Sequence, residues 1–173
     1  MNSEKTLLDY VLEYHRLGWC IIPIPYSKKA ARIRWSKYQQ NHPDEKQIRK
    51  WFSNGKRNMA VILGEISDGL ACRDFDTVGS YESWAKTHQD LAVILPTAKT
   101  GKGYHVFFVA HAKGRKDIKG ENGEHLGELR GSGHYCVLPP SVHPNGQTYK
   151  WVNPNPVRPG ICCVIYRERI TQK

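Results

Sequence analysis

The chain has 173 residues, 39% of them hydrophobic and 24% charged, which suits one folded domain with a core of its own. No apolar run approaches the roughly 20 residues that a membrane-spanning helix needs, and Cys20, Cys72, Cys136, Cys162 and Cys163 lack any C-x-x-C spacing, which argues against a disulfide framework or a zinc knuckle. The net charge of +10, from 26 Lys and Arg against 16 Asp and Glu, points to a polyanionic partner, because a cationic surface concentrates phosphates.

The opening MNSEKTLLDYVLEYHRLGWC mixes acids among its apolar residues and has no continuous secretory core, so folded protein and a cytoplasmic location are expected. Leu7, Leu8, Val11, Leu12 and Tyr14 recur at helical spacing between Ser3 as N-cap and Gly18 as stop. WCIIPIP then reads as a short strand ended by proline, and YSKKAARIRW as a basic loop or irregular strand. HPDEKQIRKWF predicts a second helix, with Pro43 near its first turn, acids early and bases late.

NMAVILG and GLACRDFD read as two strands of a hairpin around EISD, followed by a helix in SYESWAKTHQDL. AVILPTAKT and GYHVFFVAH read as further strands around TGKG, and KGRKDIKGENGEHLG as a mobile charged loop. ELRGSGHYCVLPPS contributes strands broken by glycines, and HPNGQTYKWV an Asn-Gly hairpin turn. NPNPVRPG and ICCVIY form a last strand or a connection to something larger. The sum is an α+β domain, a mostly antiparallel sheet with flanking helices. The expected division is one domain over 1–151, with a helical, basic part (1–57) and a sheet (58–151), then a tail or linker over 152–173. TGKGYH lacks P-loop spacing, and no G-x-G-x-x-G occurs.

Between Lys28 and Arg57 ten basic residues, Lys28, Lys29, Arg32 and Arg34 first among them, stand against only Asp44 and Glu45, with Trp35, Tyr38, Trp51 and Phe52 interleaved. Two readings stay open: a surface that tracks nucleic-acid phosphates, or a solvated face whose aromatics belong to the core.

Asp74 and Asp76 are two apart, so on an extended strand both leave one face while Phe75 enters the core. Paired hard oxygen ligands of this kind hold Mg²⁺ or Mn²⁺ together with substrate phosphates and water. A plain turn or helix cap is the competing reading, and a glycosyltransferase D-x-D would need a sugar-nucleotide domain for which the chain is too short. Glu128 in LGELRGSG offers a third carboxylate, and His105 with Lys102 in KTGKGYHVFF could approach a phosphate. Arg130 joins these on charge and proximity.

The order D-F-D, G-Y-H-V-F-F, E-L-R-G, P-P-S-V-H-P-N-G and Y-x-W resembles the N-terminal domain of bifunctional DNA primase-polymerases, within the archaeo-eukaryotic primase superfamily. GWCIIPIPYSKKAARIRW and NMAVILGEISDGLACRDFD extend the likeness, which covers roughly residues 7–151. The resemblance implies a catalytic core related to RNA-recognition folds and two-metal nucleotidyl transfer from NTPs or dNTPs on a single-stranded DNA template. It also implies a setting in replication of a plasmid, phage or other mobile element or in a defence system, with a helicase or further domain as partner. By position, Asp74 and Asp76 match the first acidic motif, and His105 matches the small-x-His motif that contacts the nucleotide's phosphates, with Gly103 as its small residue. Glu128 matches a third acidic position that is more usually Asp. A different class of function is a catalytically weak single-stranded nucleic-acid or nucleotide-binding module of a larger replication protein.

Overall fold

The computed structural model describes residues 5–153; Ser3, ICCVIY and all but the first residue of NPNPVRPG lie outside them. In chain order the elements are α1 (Leu7–Arg16), β1 (Cys20–Pro25), α2 (Glu45–Phe52), β2 (Arg57–Ile62), β3 (Leu70–Phe75), α3 (Val78–Thr87) and α4 (Gln89–Ile94). The chain continues through β4 (Thr97–Lys99), β5 (Tyr104–Val109), β6 (Arg115–Lys119), β7 (His125–Arg130), β8 (Tyr135–Val137) and β9 (Lys150–Asn153). A capping box starts α1: the Thr6 hydroxyl accepts from Asp9 N at 3.3 Å, and the Asp9 carboxylate accepts from Thr6 N at 2.8 Å. Asp44 caps α2 by accepting from Gln47 N at 2.7 Å, so Pro43 precedes the cap instead of entering the first turn.

Two antiparallel sheets result, one of three strands in the order β1-β2-β8 and one of six in the order β6-β7-β3-β5-β4-β9. Between them, with α1 and α2, Val11, Trp19, Ile21, Ile48, Val61 and Phe107 pack as one core. On the other face of the larger sheet, α3 and α4 bury Phe75, Val106 and Phe108 under Trp84, Leu91 and Leu95.

Three expected elements differ. β2 and β3 are not a hairpin: a single bridge, Gly64 to Leu70, joins their ends, and each strand runs into a different sheet. Both strands are almost wholly buried, so each needs a neighbour on both edges, and a hairpin would supply only one. Ala92, Val93 and Ile94 are helical, within α4, Leu95 ends that helix, and the strand is only β4; a short apolar run has no period that separates a buried strand from a helix. KGRKDIKGENGEHLG holds the β6–β7 hairpin, which reads as a loop because β6 is an edge strand with Ile118 as its one buried residue. The basic YSKKAARIRW segment is loop leading into a 3₁₀ turn at Trp35–Gln39.

Asn58, wholly buried at the start of β2, holds this basic loop in place. Its Nδ2 donates to the Lys28 carbonyl at 3.2 Å and to the Val142 carbonyl at 2.7 Å, and its Oδ1 accepts from Val142 N at 2.9 Å. Asn58→Ala strands these backbone groups without partners and is expected to lower stability by at least about 2 kcal/mol, measured by urea denaturation.

Candidate active site

The register of the larger sheet places His105, Asp74, Glu128 and Asp117 side by side across β5, β3, β7 and β6. Directly paired residues of an antiparallel sheet project from the same face, so these four form one row. The next row on that face, one pleat repeat away, is Phe107, Cys72, Arg130 and Arg115. Phe75 points the opposite way and is buried against Trp84, with ring centroids 5.4 Å apart.

Two glycines let the backbones close around the end of β3. A Cβ on Gly127 would lie 2.0 Å from the Asp74 carbonyl oxygen, and one on Gly103 would lie 1.9 Å from that of Phe75. Gly127 also has φ +135°, a region in which a side chain is strained. The small residue two before His105 thus has a steric cause: β5 starts in contact with the backbone that carries Asp74 and Asp76.

Carboxylates and guanidinium groups alternate over this surface. Arg130 bridges two strands, with Nη2 2.7 Å from Asp74 Oδ2 and Nε donating to Glu128 Oε2 at 2.8 Å. Arg115 does the same one strand further, 3.2 Å from Glu128 and 3.5 Å from Asp117. His105 Nε2 lies 3.4 Å from Asp74 Oδ1. Burial works to raise the Asp74 pKa, but His105, Arg130 and Lys29 outweigh it and bring it down to about 2. Burial works to lower that of His105, and the Asp74 carboxylate turns the shift upward. Arg130 is likewise held above its ordinary value, against desolvation, by Cys136, Asp74 and Glu128.

Asp76 stands just beyond the strand and is half exposed; its Oδ2 accepts from His125 Nδ1 at 2.6 Å. The expected trio of acids does not converge tightly. Among the described residues, ligand atoms within 4.8 Å of one another occur in Asp117–His125–Glu128 and in Cys72–His105–Cys136, while Asp74, Asp76 and Glu128 are spread more widely.

The other expected residues are placed unevenly. Lys29 bears on Asp74, and the pKa of His143 is lowered by burial, with Lys29, Lys102 and His105 pushing the same way against the Asn145 hydrogen bond. Lys102 is exposed in the turn between β4 and β5, and Lys28, Arg32 and Arg34 are exposed along the basic loop. Tyr38 and Phe52 are core residues and cannot stack on bases, whereas Trp35 is half-buried and meets Tyr135 edge-on at 5.1 Å. A cleft of about 350 Å³ opens here, lined by Lys29, Trp35, Arg115, Glu128, Arg130 and Tyr135 among others.

Arg115, Asp117 and His125 were hidden in the segment that reads as a loop. His125 is also masked by a register shift: Ile118 pairs with Gly127 but Lys119 pairs with His125, so one extra residue of β7 turns His125 to the acidic side. Strict alternation from Glu128 would have sent it away.

The donors fit a hard divalent cation: they are carboxylate oxygens, and the Arg130 guanidinium shows that positive charge is accommodated between Asp74 and Glu128. No helix of the described residues is long and apolar enough to cross a membrane. An antiparallel sheet under helices, with ordered carboxylates and guanidinium groups on the wall of a cationic cleft, defines an α+β domain shaped for phosphate-bearing ligands. The chain belongs to the family of bifunctional DNA primase/polymerase N-terminal domains, whose sequence model matches residues 11–162. No curated protein matches the sequence. Membership carries the coarse activity: a nucleotidyltransferase domain of the DNA primase/polymerase type, acting on nucleic acid and nucleotides.

Because the Asp74 pKa is below that of a free carboxyl, its ion pairs stabilise the fold above about pH 4, and that contribution is lost as pH falls towards 2. Between those limits the unmodified protein should lose about 2 kcal/mol that Asp74→Asn does not lose, read from urea melts of both at each pH.

Proposed function

We propose that this domain is a template-dependent nucleotidyltransferase that extends a 3′-hydroxyl and joins nucleotides to begin a primer, with two divalent ions, Mg²⁺ or Mn²⁺, held by Asp74, Asp76 and Glu128. The observation that carries the reading is Arg130 bridging Asp74 and Glu128 on adjacent strands, a cation shared by the two carboxylates. When bound, such ions supply Lewis acidity toward the attacking 3′-oxygen and the leaving pyrophosphate.

The chain's own groups do the rest. Asp74 stays ionised at every working pH because His105, Arg130 and Lys29 overcome its burial. His125 holds the Asp76 carboxylate through Nδ1 and so sets its direction at the strand end. His105, Lys102 and Arg130 bind the triphosphate. Arg130 exchanges its carboxylate bonds for phosphate bonds, both charge-assisted, so the exchange costs little. Lys28, Lys29, Arg32 and Arg34 track the template phosphates, and the exposed Tyr26 and half-buried Trp35 offer ring faces to its bases. The setting we propose is replication of a plasmid, phage or other mobile element, or a defence system, alongside a helicase or further domain.

Purified protein incubated with single-stranded template, Mn²⁺ and labelled nucleotides, with and without a primer, should yield product. Asp74→Asn and Asp76→Asn should each lower it more than about 100-fold, since a missing ligand outweighs the 10–100-fold effect of an outer-shell partner. Asparagine is the variant of choice, because Asp74→Ala would strip Arg130 and His105 of a buried counter-charge and unsettle the fold. Template binding without synthesis by the unmodified protein would instead make it a nucleic-acid-binding module.

For template binding, the plot of log affinity against log salt on single-stranded DNA should become shallower by about 0.7 for each phosphate that is no longer neutralised. Replacing Lys28, Lys29, Arg32 and Arg34 by Ala together should therefore flatten it by up to about 3, as measured by fluorescence anisotropy.

A further inference from the structure

Beneath the acidic row, and sharing His105 with it, lies a second donor set of different chemistry. Cys72 comes from β3, His105 from β5 and Cys136 from β8, so the set draws on both sheets. One ligand atom from each falls within 4.8 Å of the other two, and the residues are 0%, 5% and 1% exposed. Both cysteines are free thiols. His105 Nε2 is turned to Asp74, and its Nδ1 is buried with no hydrogen-bond partner. An imidazole nitrogen left so in an interior forfeits its hydration without a replacement partner, which native folds seldom leave unanswered. Cys20, the other buried cysteine among the described residues, is engaged elsewhere, its Sγ 3.3 Å from the Tyr38 carbonyl oxygen.

We propose that Cys72, His105 and Cys136 bind a thiophilic divalent ion, zinc foremost, that ties the two sheets together directly under Asp74. Two sulfurs and an imidazole select zinc-like ions and disfavour Mg²⁺, Ca²⁺ and Mn²⁺, which prefer oxygen, so this site is distinct in chemistry from the carboxylate row. Zn–S bonds near 2.3 Å and Zn–N bonds near 2.0 Å place tetrahedral ligand atoms about 3.5–4 Å apart, a small contraction of the set. Binding converts both thiols to thiolates and releases their protons to solvent. The bound ion locks the His105 ring and, through it, the Asp74 carboxylate. None of this depends on the proposed polymerase activity.

The test uses Co²⁺ as a spectroscopic probe on the reduced, metal-free full chain with Cys162→Ser and Cys163→Ser, which removes the thiols outside the described residues. A thiolate-to-cobalt charge-transfer band that saturates at one Co²⁺ per chain and is displaced by Zn²⁺ is expected. Cys136→Ser should abolish the band while keeping the circular dichroism of the parent, and Cys72→Ser serves as the second variant. Zn²⁺ should raise the melting temperature of the parent and leave that of Cys136→Ser unmoved. The proposal is overturned if the reduced parent gives no band in excess Co²⁺, if the band survives Cys136→Ser, or if the only chemistry found is a Cys72–Cys136 disulfide. Absence of primer extension by the unmodified protein, by contrast, would count against the proposed function alone.

Discussion

Asp74 keeps its charge inside the protein because Arg130 and His105 flank it, and much of the molecule is arranged around that necessity. A carboxylate only 14% exposed would be costly alone, and burial by itself pushes it toward neutrality. β5 brings His105 to one side of it in direct register, and β7 brings Glu128 to the other with Arg130 two residues on. Breaking any one of these pairings leaves another buried charge open to the same penalty, so the set holds or fails as a unit.

That unit requires backbones closer than side chains would permit. Gly103 and Gly127 sit against the carbonyls of Phe75 and Asp74, on opposite edges of β3, and any Cβ there would force the strands apart. Near Gly127, β7 also takes up its extra residue, which brings His125 round to Asp76. One irregularity thus allows close approach and adds a histidine to the acidic side. The hairpin of β6 and β7 completes the surface with Arg115 and Asp117, extending the alternation of charge to the sheet edge.

Glu128 of this row, with Arg115 and Arg130, faces a cleft whose far side is the basic loop, held by Asn58 through the Lys28 carbonyl and by Tyr135, whose hydroxyl accepts from Ala31 N at 3.0 Å. The same sheet face runs inward to the core shared with the smaller sheet, where carboxylates give way to thiols. Hard oxygen donors lie where water and phosphates can reach them, and soft sulfur donors lie where they cannot. His105 belongs to both layers, with one nitrogen toward Asp74 and the other buried.

Local pattern in the sequence was enough for α1, α2, β1, β5 and the D-F-D strand, since each is a contiguous run with its own period or cap, and the ordered motifs around it pointed to the family. The same was true of Asp74, His105 and Glu128 as candidates, because they lie in that order within recognisable strands. What the chain could not announce locally is which strands become neighbours. Pairing of β3 with β7 rather than β2 is decided by burial on both edges, and the β6–β7 hairpin by packing that its polar residues do not advertise. Arg115, Asp117 and His125 joined the site only through that pairing. The nearness of Cys72 to Cys136 likewise belongs to tertiary structure alone: no short spacing connects them, and they meet because two sheets stack face to face over one core.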